Sequence, residues 1–590
     1  MPQRQTKIAR FWQELKRRRV VHVITIYASA SFVLIELVNN LIEPLNLPDK
    51  LATILVVILA VGFPLAIILA WIYDLTPEGI EKTTTVEETE GDEPTKVPNA
   101  WKIATYVSFL LIAGLLTLNI VGGTKGLKAG DIQSLVVLPF NNFTGDDELE
   151  YFVYGMHSAL VTDMGKISGL RVIGETSARA YKDRDMTATQ IASELNVDGV
   201  IETSVLCLGD TVCIQYRLIK ASGEEEQLYS ADIKEEKGRI LGLYHRITRQ
   251  IAEEVKIELT SDEDRLLSGS REVNKEAYDA YLKAESYWEQ LGPESFDKAL
   301  ELYNIAIELE PDWAPPYTGV AGVWGGRVQM AIISPEIGFP IANEYLQKAL
   351  ALDPDYPEMH YILALNSVWT YWDWEKGEKE FIKALAINPN HAKSRIYYAH
   401  LLSLLQRTDE ALEQGRIAVD LDPRNALVLA LHAVVLKGAN QFEEAYIYSH
   451  MAMAIDPTNI FARSIAARDA FKLGRYEEAF AHDLHRIPFE EEIVDSVDRI
   501  FNQYGQQAAY EELVRQLELH ASKVYVSPGL FAWRYYQIGE YSKALDKFEE
   551  AYELHTPNIP YLGVNNVDHL HDSTRFQALL EKMNLPHPKK

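Results

Sequence analysis

Cysteine is nearly absent, with two in 590 residues. That excludes a disulfide-scaffold fold and a four-cysteine zinc site. Basic charge is also scarce: 57 Lys and Arg stand against 85 Asp and Glu, for a formal net charge of -28. A chain so acidic lacks the basic face that nucleic acid requires, so no nucleic-acid partner is expected. No G-x-G-x-x-G or Walker segment follows a strand-like run, and no Ser/His/Asp set sits in a recognisable elbow. We therefore expect no enzyme, no catalytic residues and no cofactor. Apolar residues make up 47% and charged residues 24%, which suits buried cores and excludes a mainly disordered or collagen-like chain. At roughly 150 residues per domain, the length allows three or four domains.

Long apolar runs crowd the first 130 residues. Residues 20–42, 51–73 and 103–121 each approach the roughly 20 residues that a helix needs to span a bilayer. They predict three transmembrane helices, the first two (20–73) forming a hairpin turned at Pro44 and Pro48, with Gly62 and Pro64 kinking the second. Ala28-Ser29-Ala30 resembles a signal cleavage site, but the long amino-terminal segment and the hairpin favour a retained helix. Segment 1–19 holds Arg4, Lys7, Arg10, Lys16, Arg17, Arg18 and Arg19, which predicts a cytoplasmic amino terminus. The acidic stretch 74–102 then returns to the cytoplasm, and its 76–100 part, rich in Thr, Glu and Pro, reads as a flexible linker. A third crossing at 103–121 places residues 124–590 in the periplasm. Glu36 lies near the end of the first helix, where bonding to Asn39 or Asn40 or snorkelling explains it better than a functional role.

From Ser134 the pattern becomes alternating strands and helices, a small α/β domain of residues 131–260. Strands are expected at 134–140, 170–175 and 228–234, and helices at 149–167, at 187–196 with Thr187 as N-cap, and at 240–259. Residues 197–221 read as a hairpin turning at Gly209-Asp210. A three-residue loop centred on Asp210 sets Cys207 opposite Cys213, close enough to bridge, and puts Leu206, Leu208, Val212 and Ile214 on the other, apolar face. A two-residue turn instead separates two free thiols. Asp146 and Asp147 follow the first strand in a turn-rich loop, read as solvated with an N-cap for the next helix rather than as a cation site.

Prolines at 311, 354, 389, 423 and 457 are spaced 43, 35, 34 and 34 residues apart. A period of 34 is that of a tetratricopeptide helix pair. Ala299, Ala342, Gly377, Ala411, Ala445 and Ala479 share one position of the second helices, and Ala306, Ala349, Ala384, Ala418 and Ala452 follow seven residues later. Small residues two turns apart on one face let helices approach closely, and the proline then ends the pair. The longer first step predicts an enlarged loop within 325–340, and 561–590 is expected to cap an array of 272–560. The concave groove of such an array holds peptides or partner helices, so a protein or peptide partner is expected there. Asp568-His569-Leu570-His571-Asp572 and His482-x-x-His485 are the best histidine clusters. Neither has a complete first shell in sequence, and no metal site is assigned.

Several of these stretches resemble known families. S-L-V-V-L-P-F-N-N-F-T-G-D at 134–146, E-Y-F at 150–152, G-L-R-V-I at 169–173 and V-D-G-V-I-E-T-S-V at 197–205 resemble the TolB-like domain, also described as FlgO-like, which is not known as an enzyme. F-W-Q-E-L-K-R-R-R-V at 11–20, D-L-T-P-E-G-I-E-K-T at 74–83 and S-T-R-F-Q-A-L-L at 573–580 resemble signatures of bacterial membrane-anchored proteins that join such a domain to tetratricopeptide repeats. Relatives of that kind carry an adenylate cyclase or winged-helix domain. With about 19 residues before its first helix, this chain is not expected to share those activities. The sequence thus reads as multidomain: amino-terminal transmembrane helices, a small TolB-like α/β domain and an all-α solenoid, forming an inner-membrane scaffold or, alternatively, an extracytoplasmic sensor.

Overall fold

A computed structural model describes residues 20–42, 50–76, 79–82 and 130–587, apart from 147–148, 222–224, 270, 458, 485–488 and 565–566. The chain forms two compact units, Met1–Gly126 and Leu127–Lys590. The third apolar run at 103–121 lies outside the described residues.

In the first unit, helices α1 (Val20–Ile42) and α2 (Lys50–Ile72) pack as a hairpin. A hydroxyl group and a glycine fix their contact. Tyr27 Oη donates to Leu59 O at 2.8 Å, and a Cβ at Gly62 would collide with that same hydroxyl. Val20–Leu37 is long and apolar enough to cross a membrane, by a length and composition that membrane spans share with signal sequences. Segment 76–100 is not wholly a linker, because β1 (Tyr73–Thr76) and β2 (Gly79–Lys82) pair antiparallel with Thr76 opposite Gly79. The ladder's backbone hydrogen bonds need no apolar side chains, which is why composition missed it.

The second unit begins with a mixed sheet. Its strands are β3 (Ser134–Val137), β4 (Asn141–Asn142), β5 (Arg171–Val172), β6 (Gly199–Leu208), β7 (Thr211–Lys220) and β8 (Glu226–Glu236). They run in the order β5-β3-β6-β7-β8, with β4 beside β6. The neighbours of β3 are parallel to it, and β6-β7-β8 is an antiparallel meander. Alternation along β3 feeds two layers. Leu135 and Val137 join the core under α3 (Glu150–Met164) and α6 (Ile240–Glu254). Val136 joins the core under α4 (Glu175–Arg179) and α5 (Ala188–Leu195). Thr187 caps α5 by accepting from Gln190 N, within a reciprocal capping box. A short helix, α7 (Ser261–Leu266), leads to the repeats.

Eight helical hairpins follow: α8 (Lys275–Trp288) with α9 (Pro293–Leu309), α10 (Ala314–Gln329) with α11 (Pro335–Leu352), α12 (Pro357–Trp369) with α13 (Trp374–Ile387), α14 (Ala392–Leu404) with α15 (Thr408–Leu421), α16 (Ala426–Gly438) with α17 (Phe442–Ile455), α18 (Ile460–Lys472) with α19 (Tyr476–Leu484), α20 (Glu491–Tyr504) with α21 (Gln506–Ala521), and α22 (Pro528–Gln537) with α23 (Tyr541–Glu553). This is a tetratricopeptide-type array. The recurrent alanines lie in the second helices and are buried, and Gly377 leaves no room for a Cβ, which would sit 2.3 Å from Val368 Cγ2.

Two expectations need correction. Most of the extra residues of the long first step do not enter the loop, which at 330–334 is only two residues longer than the one at 405–407. They lengthen the helices, to 16 residues in α10 and 18 in α11 against 13 and 14 in α14 and α15. The glycines of α10 are there to admit rings: a Cβ at Gly319 would meet Tyr303, and one at Gly326 would meet Trp288. The carboxy-terminal segment, with α24 (Thr574–Lys582), does not simply cover the last pair. It reaches back to the middle of the array, where Met583 O accepts from Trp374 Nε1 at 3.0 Å and Tyr561 Oη lies 2.7 Å from His400 Nδ1. One continuous core includes both Tyr361–Val435 side chains and Leu562–Leu585 side chains.

Candidate functional site

The α/β domain and the repeats are packed as one body. Tyr278 and Leu282 of α8 belong to the same core as Phe152 and Met156 of α3, and a Cβ at Gly155 would clash with Leu282. Further along, the turns between repeat pairs grip the sheet's edge. Asn390 Nδ2 donates to Gly165 O and Leu170 O at 3.0 and 2.9 Å, while its Oδ1 accepts from Val172 N at 3.0 Å. Asp422 accepts from Ser177 N and Ser177 Oγ at 2.9 and 2.6 Å. Gly174 N donates to Leu421 O at 2.7 Å, and a Cβ at Gly174 would strike Asp422.

Between these two seats the layers separate around a cavity of about 1140 Å³. Tyr154 and Arg179 wall it from the α/β side; Tyr281, Glu285, Trp288, Glu289, Tyr303, Glu358, Tyr361, His391, Lys393 and Tyr397 wall it from the repeats. Along α8, Tyr281, Glu285 and Trp288 recur at helical spacing, so one face of that helix supplies three of the groups. Tyr303 Oη donates to Glu285 Oε1 at 2.5 Å. Glu289 Oε2 pairs with Arg179 Nη1 at 3.0 Å and also accepts from Tyr154 Oη. The Arg179 guanidinium lies 4.4 Å from the centre of the Tyr154 ring. His391 Nε2 is 3.4 Å from Glu358 Oε1.

Depth shifts the protonation of these groups, although Arg179 and Glu289 stay partly accessible, at 24% and 30%. Burial lifts the Glu285 carboxyl to about 7, against the opposing Tyr303 hydrogen bond. It also raises Glu289 and lowers His391. Burial alone would lower Lys393, but Glu289, Glu175, Glu358 and Asp422 outweigh it and hold the ammonium raised. Acidic side chains outnumber basic ones around this aromatic chamber.

The residues singled out in the sequence lie elsewhere. Among the repeat-packing positions, only Ala342 borders the cavity. Cys207 and Cys213 face each other near the tip of the β6–β7 hairpin, joined as a disulfide with Cα atoms 4.9 Å apart. Leu206 does not share the apolar face, because a β-bulge between Val205 and Cys207 turns it outward to 45% exposure. Asn142 Oδ1 ties its own loop by accepting from Thr144 N and Oγ1; Asp147 lies outside the described residues. His569 stacks on Tyr541 and Asp568 pairs with Lys472, so that cluster serves packing and surface pairing. His485 lies outside the described residues.

Helix pairs stacked on one another and a small mixed sheet define a tetratricopeptide-type fold with an added α/β domain. No protein-family model matches the chain. Putative adenylate cyclase 3 of Rhizobium meliloti is 26% identical over 247 residues, 40% of this chain and 40% of that protein. Transcriptional regulator HilA of Salmonella typhimurium is 27% identical over 147 residues, 25% of this chain and 26% of that protein. Human tetratricopeptide repeat protein 6 is 33% identical over 100 residues, 16% and 19% of the two lengths. The matches thus span less than half of each relative. Among solved structures, a thermophilic TPR protein of Thermus thermophilus has a TM-score of 0.28 at 15% identity, over 33% of this chain and 99% of its own. That score is too low to carry an argument, and the repeat fold rests on the helix pairs described above.

Proposed function

We propose that the chain is a membrane-anchored scaffold whose repeat groove takes a basic peptide segment of a protein partner. The cavity carries this reading. Its volume of about 1140 Å³ exceeds the ~300–1,000 Å³ of ordinary small-molecule sites and suits a short peptide. Its excess of carboxylates steers basic segments toward it. The sheet domain, by resemblance TolB-like, forms one wall. A sensor is the second reading, because an occupant there touches both the sheet domain and the repeats and so sets their spacing.

The anchor is the hairpin of α1 and α2, an inner-membrane one with a cytoplasmic amino terminus. Phe32, Val33 and Ile58 are each more than 60% exposed, as lipid-facing residues are. A third span at 103–121 then leaves residues 124–590 in the periplasm, where the Cys207–Cys213 bridge is at home.

Site-specific photo-crosslinking in cells tests the groove. A photoreactive phenylalanine analogue replaces Trp288 on the cavity wall or Ile447 on the outer surface. Crosslinks to a second protein from position 288, lost when basic peptide competes, are expected. Crosslinks from position 447 alone would remove the groove from the proposal.

A further inference from the structure

A second cluster sits away from the cavity, where α17 and α19, the second helices of neighbouring pairs, come together. Glu478 and His482 stand four residues apart on one face of α19, and His450 reaches them from α17. His450 Nε2 is 2.6 Å from Glu478 Oε1, and His482 Nε2 is 3.8 Å from the same oxygen. The three ligand atoms lie within 4.8 Å of one another. A tetrahedral ion with bonds of ~2.1 Å holds its ligand atoms ~3.4 Å apart, between the two spacings seen.

Hydrogen bonding fixes the tautomer of His450. His450 Nδ1 lies 2.8 Å from Tyr446 O, an acceptor, so Nδ1 carries the hydrogen. In a neutral ring Nε2 then turns its lone pair toward Glu478 Oε1, 2.6 Å away, so a proton joins the two in the metal-free chain and a metal would displace it. His482 Nε2 is shut off from solvent and has no hydrogen-bond partner. A buried imidazole nitrogen without a hydrogen bond, 3.8 Å from Glu478 Oε1, is free to serve as a ligand. The surroundings hold the carboxylate in place: Tyr446 Oη donates to Glu478 Oε1 at 2.7 Å, and Arg475 Nη1 stands 3.9 Å from Oε2. Arg475 also lies over the Tyr446 ring at 4.1 Å, and Oε1 faces the two imidazoles beside the Tyr446 hydroxyl. Partners of this kind orient metal ligands.

We infer that His450, Glu478 and His482 form a Zn²⁺ site that staples the fifth repeat pair to the sixth, with water in the fourth position. Two imidazoles and one carboxylate match the ligand preference of that ion. The site rests on geometry independent of the cavity and stands or falls apart from it.

The test uses the full chain in detergent, purified through a tag without histidine and stripped with a chelator. Zn²⁺ is titrated in competition with a chromophoric chelator, and Co²⁺ replaces it for visible spectroscopy. We expect one equivalent of Zn²⁺, a rise in melting temperature on loading, and Co²⁺ bands of four-coordinate intensity. His450→Ala and His482→Gln should each weaken binding by more than about tenfold. Their metal-free melting should match the metal-free parent. Absence of Zn²⁺ binding by the parent, or unchanged binding in both variants, would overturn the assignment. If either variant fails to fold, the parent's Co²⁺ spectrum decides: six-coordinate, solvent-like bands refute the site.

Discussion

Single residues carry the chemistry of the cavity. Glu285 keeps its proton to about 7 in the folded chain against an ordinary value of 4.5. The folded state therefore binds more protons than the unfolded state between these values, and stability falls as pH rises through that window. Glu285→Gln retains an acceptor for Tyr303 but has no proton to lose. Melting scans from about pH 5 to pH 8 should show a smaller decline for the variant than for the parent, with the gain confined to the upper end. An equal decline would mean that Glu285 ionises freely. The cavity was illegible in the sequence because its groups converge from Arg179 to Lys393 through tertiary packing. The only local trace is the Tyr281, Glu285, Trp288 spacing on α8, which reads as well for a surface helix face.

Elements were easier to read. The repeats announce themselves because each pair solves the same packing problem, small residue against neighbour helix and proline between pairs. Gly377 shows how tight that solution is. Gly377→Ala gains ~1 kcal/mol in helix propensity, but its new methyl meets Val368 Cγ2 at 2.3 Å, and overpacking costs about 1–3 kcal/mol. We expect a net loss of ~1 kcal/mol in denaturant unfolding, relieved when Val368→Ala makes room. A stabilised single variant would show that the two helices can part without penalty. Where residue patterns misled, backbone geometry was the reason. The bulge that exposes Leu206 changes facing by one residue, and period-two reasoning carries no signal for it. Likewise α10 takes glycines for the rings of Tyr303 and Trp288, although glycine in sequence suggests a loop.

At the scale of the molecule, the proposed topology makes a direct prediction. Alkaline phosphatase fused after Gly130 should be active and a fluorescent protein there dark, and Cys207 and Cys213 should resist thiol labelling until reduced. The reverse pair of signals would put the repeats in the cytoplasm and cost the disulfide its compartment. The α/β domain's grip on the turns at Asn390 and Asp422 means that the array is not an open ribbon with independent links. The return of the carboxy-terminal segment to Trp374 and His400 has the same effect from the other end. An ordinary solenoid can grow stepwise during synthesis, each pair folding on the last. Here Trp374 must wait for Met583, 209 positions later, so the middle pairs are delivered with part of their core still to be made. Folding then carries a high contact order that helical repeats normally avoid, and the interval before closure is when this chain is most open to chaperones and to proteases.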